Sequence, residues 1–304
     1  MKKHTHSKPK HLMTDILFLL PSLIAFVMVI VIPFFMGLYF SFTDWNGALQ
    51  KEIHFIGLDN FKSIVKDIRF LHSSLVTGVF TVLNVFVINL VALGLSLLVT
   101  SDLKLKNFYR SGFFTPNLIG GIVLGYLWQF IFNYSVTGAA HVLGIKALYS
   151  SMLGDDKTAL LAIVIVTTWQ YAGYIMMIYV AAIQNVPESL LEAAQIDGAG
   201  FIQRTKAILI PLVAPAFTVS TFLTLVNSFK QFDVNVSLTN GGPSGIFMNK
   251  IMLSTEFLAL NIYNTAFVQN KMGQGQAKAV LFFLVLVIFS LLQVYYNKKK
   301  EVEM

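Results

Sequence analysis

The chain has 304 residues, of which 56% are hydrophobic and 12% charged, and its mean hydropathy is +0.69. A soluble domain carries about 25% charged residues, so composition excludes one and points to an integral membrane protein. No cysteine is present, which excludes disulfides, thiolate metal sites and cysteine nucleophiles; the net charge of +7 lies in clusters at segment ends that suit topology and anionic headgroups rather than nucleic acid.

A basic stretch with Lys2, Lys3, Lys8 and Lys10 leads into a first apolar run over 16–42. Crossing a bilayer takes about 20 apolar residues. This run is too long for a signal-peptide core and has no clear small-residue cleavage site, so it is expected to stay as an anchor helix holding Pro21 and Pro33. From Thr43 to Ser73, apolar Phe55, Ile56, Leu58, Phe61, Ile64 and Val65 interleave with Lys62, Lys66 and Asp67. That pattern predicts a short amphipathic helix on the outer surface.

Further spans are predicted at 76–99, 112–132, 159–183, 208–229 and 279–296. The third holds Gly121-x-x-x-Gly125, which permits close helix packing. Gly241-Gly242-Pro243, after the fifth, is a turn signal. Lys278, at the start of the sixth, is expected to snorkel to the interface. The fold expected is all-α, six membrane helices in one domain over 1–304. With the N-terminus inside, the inner pieces carry Lys104, Lys106, Arg110, Arg204, Lys206 and Lys298 to Lys300. The outer connections are longer and mix their basic residues with acids, so basic density favours both termini inside.

None of the six runs contains Asp, Glu, Lys, Arg or His. Proton- or sodium-coupled transporters need an ionisable group at depth, so the energy is expected to come from elsewhere and the cargo to be neutral. A phosphodiester cargo would call for a basic residue that these runs lack. They do hold amides and aromatics: Trp128, Gln129, Gln170, Tyr171, Tyr174 and Asn227, with Gln231 just beyond. Gln170 and Tyr174 share a helix face, as do Asn227 and Gln231. Such groups suit the hydroxyls and ring faces of a sugar, and they equally suit hydrogen bonds between helices.

Between the fourth and fifth runs lies a polar, patterned segment over 185–207. Pro187 suits a first helical turn, with Glu188 and Glu192 near the positive end of the dipole. Leu190, Leu191 and Ala194 share a face, and Gly198 and Gly200 can turn the chain back. The orientation above places this segment in the cytoplasm. The six histidines show no metal spacing, no phosphate-cradling loop occurs, and Ser, His and Asp form no recognisable triad. A metal, a nucleotide site and an enzyme activity are therefore not expected in this chain.

Glu192-Ala193-Ala194, then Asp197-Gly198-Ala199, then Ile208 and Pro211 resemble the coupling loop of permease subunits in bacterial binding-protein-dependent ABC importers of type I. Ile202 and Thr205 depart from the usual pattern. Asp44-Trp45-Asn46-Gly47, Gly57-Leu58-Asp59-Asn60-Phe61 and Leu238-Thr239-x-Gly241-Gly242-Pro243 resemble outer loops of the carbohydrate-uptake branch. The resemblance implies a multi-pass subunit of the bacterial cell membrane whose coupling helix docks on a separate cytoplasmic ATPase. It also implies two ATPase subunits that bind the ATP and Mg, a second homologous permease forming a heterodimer, and an extracytoplasmic sugar-binding protein. In that family, positions near Tyr174 and Asn227 to Gln231 line the path of the carbohydrate. A glycerol phosphodiester or polyol permease, and an ATP-independent secondary transporter or channel, are the rival expectations.

Overall fold

A computed structural model describes residues 12–47, 50, 52–101 and 103–299. The basic N-terminal residues Lys2, Lys3, Lys8 and Lys10, the histidines His4, His6 and His11, and Lys300 lie outside the described residues. Those described include four helices long and apolar enough to cross a membrane, or six when each of two bent pairs counts as one span. The chain divides into two compact units, one formed by residues 1–64 and 265–280, the other by 65–264 and 281–304.

In the first unit, α1 (Asp15–Phe40) is apolar along its whole length and buries none of its side chains. A helix hydrophobic all round and bare to its surroundings belongs in lipid or against another membrane protein. The amphipathic segment forms α2 (Asp59–Val65), with Ile64 buried and Asn60 Nδ2 donating to the carbonyls of Ser41 (2.9 Å) and Thr43 (2.8 Å). Gly273, at the start of the last helix, donates its N–H to the Trp45 carbonyl at 2.7 Å. A Cβ there would stand 2.3 Å from the Thr43 oxygen, so only glycine fits.

The second unit is built around α3 (Ile68–Thr100) and α6 (Asp156–Gln184). Each begins with an aspartate cap: Asp67 accepts from the N–H groups of Arg69 and Phe70, and Asp155 from those of Lys157 and Thr158. Asn84 meets Thr167 and Asn89 meets Tyr179, so the two helices run the same way. Between them come two segments that the sequence joins into one span at 112–132. They are α4 (Lys106–Leu118) and α5 (Gly121–Leu143), and they meet at 99°. Pro116 and the Gly120-Gly121 pair interrupt the helical ladder, with Ile119 and Gly120 extended between them.

The predicted 208–229 span is likewise bent. After α7 (Glu188–Ile196), α8 (Phe201–Leu212) and α9 (Ala214–Phe229) meet at 72° around Val213. Pro211 and Pro215 each lack an N–H, which opens the ladder there. Beyond α9 come α10 (Asp233–Leu238), a hairpin of β1 (Ser244–Phe247) and β2 (Lys250–Leu253), α11 (Leu258–Val268) and α12 (Met272–Lys298). The hairpin is antiparallel, pairs Ser244 with Leu253, and turns through Met248 and Asn249 at positive φ. An all-helical reading did not anticipate this small sheet.

Among the described residues the core has three clusters. Phe80, Leu124, Ile163, Leu238 and Phe257 fill one; Ile88, Ile175, Met176 and Tyr179 fill the next; Val186, Leu209 and Val213 close the end that leads into α7. Gly121 and Gly125 do serve close packing, but against the short α10 rather than a long helix. A Cβ on Gly125 would lie 1.8 Å from Ser237 Oγ. Lys278 does not snorkel. It is 2% exposed, and its Nζ donates to Thr265 Oγ1 at 2.9 Å, a hydroxyl that spares the chain a reach to water.

Candidate cargo cavity and coupling segment

Where α9 ends, the chain turns into α10 beside the middle of α6 and leaves a polar cavity of about 310 Å³. Gln170 and Tyr171 from α6 line it, with Asn227 from the end of α9, Lys230 and Gln231 from the turn and Asp233 from the start of α10. Gln170 Nε2 donates to the Ile119 carbonyl at 3.1 Å, leaving Oε1 buried with no partner. A buried acceptor left unpaired costs about 1–3 kcal/mol. A narrow extension lined by Asn84, Thr224 and Ser228 shares Tyr171, Asn227 and Gln231 with the cavity.

Of the residues singled out from sequence, the structure thus brings together Gln170, Tyr171, Asn227 and Gln231. Tyr174 stands apart, in an apolar cleft with Arg110, Phe114 and Met177. Trp128 packs on Phe132 and Trp169, and Gln129 Nε2 donates to the Leu238 carbonyl at 3.2 Å. Both sit among packing contacts outside the cavity lining.

Lys230 and Asp233 were not expected there. They fall one and four residues past the predicted 208–229 run, so a reading confined to the runs finds no ionisable group. The fold returns the turn to the cavity, and both side chains are exposed at it. Their opposite charges leave the lining formally neutral. The nearness of Phe232-Asp233 to Asn227 was the one available signal. Among the described residues, no group of three His, Asp or Glu side chains is placed to hold a metal ion.

Past the C-terminal end of α6, Pro187 opens α7, whose Glu192 and Ala193 are exposed, as is Ile196 at 86%. Ala194 and Ala199 are half-buried, Asp197 ends the helix, and Gly198 reverses the chain at φ +82°. Arg204 NH1 donates to Gln195 Oε1 at 3.1 Å and ties α8 to α7. Ile208 and Pro211 are half-buried in α8, next to the Val186–Leu209–Val213 cluster. A short amphipathic helix therefore protrudes on a packed base, with its polar and apolar faces both bare.

Residues 88–302 match the binding-protein-dependent transport system inner membrane component family. The chain belongs to this family. A probable starch-degradation-product transport system permease protein, AmyD, from Thermoanaerobacterium thermosulfurigenes is 45% identical over 95% of each chain. The multiple sugar-binding transport system permease protein MsmF from Streptococcus mutans is 32% identical, covering 94% of this chain and 95% of the relative. An sn-glycerol-3-phosphate transport system permease protein, UgpA, from Agrobacterium fabrum is 31% identical, covering 92% and 93%. A solved bacterial ABC transporter involved in importing the acidic polysaccharide alginate superposes with a TM-score of 0.78 at 19% identity, over 95% of this chain and 99% of that one. The fold is that of a type I ABC importer permease, and this inner membrane component is a transport subunit.

Proposed function

We propose that this permease carries a neutral carbohydrate, a mono- or oligosaccharide, inward through the cavity between α6 and α9. The gathering of Gln170, Tyr171, Asn227 and Gln231 around one small polar space in a largely apolar bundle carries the reading. Amides of Asn227 and Gln231 and the ring of Tyr171 complete a lining suited to hydroxyls and sugar faces. The relatives named for starch products and multiple sugars support this cargo class.

The power comes from two separate ATPase subunits, which bind ATP and Mg, and α7 is the segment they grip from the cytoplasm. Both termini then lie inside the cell. An extracytoplasmic binding protein delivers the sugar, and a second, related permease completes a heterodimer. One solved relative of this fold was captured as an alginate transporter with its oligosaccharide-bound periplasmic protein, which supports the delivery step. Closure of the ATPases moves α7, and the bundle alternates between inward and outward access.

Lys230 favours one second reading. A basic group beside the cavity, together with the sn-glycerol-3-phosphate relative, fits a phosphorylated polyol. Asp233 at the same cavity opposes an anion there. Reconstitution decides. The complete transporter with ATP inside proteoliposomes should accumulate labelled malto-oligosaccharide and leave sn-glycerol-3-phosphate outside, and Glu192→Arg should abolish uptake without loss of the protein from the membrane. Uptake of the phosphate ester alone would replace the carbohydrate reading, and uptake without the ATPase would end the ATP-driven one.

A further inference from the structure

Below the cavity, α3, α6 and α9 are joined by two runs of neutral hydrogen bonds that meet at Thr224, one at its carbonyl and the other at its hydroxyl. Thr167 Oγ1 donates to Asn84 Oδ1 (2.7 Å), and Asn84 Nδ2 donates to Ser228 Oγ (2.8 Å). Ser228 Oγ passes to the Thr224 carbonyl (2.6 Å), and Asn89 Nδ2 donates to Thr224 Oγ1 (3.0 Å). Tyr179 OH donates to Asn89 Oδ1 (2.7 Å), and Ser220 Oγ donates to Tyr179 OH (2.6 Å). The chain crosses from α6 to α3 to α9 and back again. Thr167, Tyr179 and Ser220 are fully buried, and both amides use their donor and their acceptor.

The two ends of this chain lie at different places in the fold. Asn84, Thr224 and Ser228 form the narrow extension that Asn227 and Gln231 share with the cavity. Ser220 lies about two helical turns past the break at Val213, and Tyr179 lies near the end of α6 that runs into α7. That break is a compliant point. Without a tie between α6 and α9, a displacement of α7 and α8 would be taken up as bending at Val213. A slip of one helix along the other would have to open several of these bonds at once.

We propose that Asn89, Tyr179 and Ser220 are positioning residues of transport. They hold α3, α6 and α9 as one body, so that movement of the coupling segment reaches Asn227 and Gln231 instead of dissipating at Val213. The proposal rests on the ATP-driven reading above.

The test uses the complete transporter in proteoliposomes with its binding protein, and reads ATP hydrolysed per cargo molecule imported. Tyr179→Phe keeps the ring and deletes the hydroxyl, and Ser220→Ala deletes the next link with little change of volume. Each should raise the ratio about threefold, the weight of one interhelical hydrogen bond in a membrane, with unchanged affinity for cargo. Thr158→Val, which removes a hydroxyl bond to Met152 outside the chain, should leave the ratio alone. A wild-type ratio in Ser220→Ala overturns the proposal, even if both rates fall together as they would for a merely loosened bundle. If Tyr179→Phe does not assemble, Ser220→Ala decides alone. Should wild-type uptake need no ATP, it is the functional reading that fails, and the ratio is not then the quantity in question.

Discussion

Arg69 and Glu256, 187 residues apart in the chain, meet in a two-pronged ion pair. Arg69 Nε and NH2 donate to the two carboxylate oxygens at 2.7 and 2.6 Å. Glu256 is 1% exposed and also accepts from Asn264 (2.8 Å), Asn261 (3.3 Å) and Ser73 (3.4 Å). This hub fastens the segment between the hairpin and α11 to the start of α3, at the end of the bundle opposite α7. Removing one partner of a fully buried pair costs about 3–5 kcal/mol; the Arg69 side chain is 35% exposed, so the cost here is smaller, but Glu256 would still be left buried with its charge uncompensated. Arg69→Ala should therefore lower thermal stability in detergent. Arg69→Met combined with Glu256→Leu should recover much of the loss, which a double-mutant cycle on melting temperature will read.

Gly173 shows the same tightness without charge. A Cβ at this position would stand 1.8 Å from the Phe113 carbonyl oxygen, which is backbone and cannot rotate aside. Gly173→Ala must push α4 away from α6. The cost should be at least about 1–3 kcal/mol, seen as poor yield of folded protein, whereas Gly78→Ala, with open space around it, should be silent.

At the cavity, Asn227→Ala removes an amide from the polar lining, which on the carbohydrate reading bonds the cargo. The half-saturating cargo concentration should rise about three- to tenfold, from about 0.5–1.5 kcal/mol per lost hydrogen bond. Gln129→Ala breaks a bond to the Leu238 carbonyl instead and should leave that concentration unchanged. Equal effects would mean that the cavity is not where cargo binds.

Asp44 belongs to the loop between α1 and α2. The backbone N–H of His54 donates to its Oδ1 at 2.8 Å, and this bond above all holds the carboxyl below its ordinary range. A lowered value means that the fold favours the charged form. The contribution is fully present above the ordinary carboxylate value of about 3.9 and disappears as pH falls through the lower folded value. Hydrogen exchange at the His54 amide should accordingly stay slow down to about pH 4 in the wild type. In Asp44→Ala, which removes the acceptor, its protection should already be lost at neutral pH.

Much of the scaffold was legible because apolar length and polar punctuation are local signals. The α7 helix was readable from Pro187, Glu188, the paired alanines and Gly198, all within a dozen positions. Gly121 and Gly125 announced a close approach, although not that α10 would be the partner. What escaped depends on distant residues meeting. No local pattern links Arg69 to Glu256, and only the fold brings Lys230 and Asp233 back to Gln170. Lys278 was misjudged for the same reason, since its buried bond to Thr265 forms where the chain closes on itself. The bends at Gly120 and Val213 had local causes in Pro116, Pro211 and Pro215. A hydropathy run averages over such breaks, so the spans looked straight. Tyr174 shares a helix face with Gln170, yet faces an apolar cleft, because α4 rather than α9 packs over its turn.

The central claim is that α7 projects into the cytoplasm and is gripped there by a separate motor. The chain contains no cysteine, so Ala193→Cys supplies a single reporter on the exposed face of α7. A membrane-impermeant maleimide should label it in inside-out vesicles and not in intact cells, and adding the ATPase subunits should block the labelling. Labelling from outside intact cells, or labelling in inside-out vesicles that the ATPase leaves unchanged, would contradict the account.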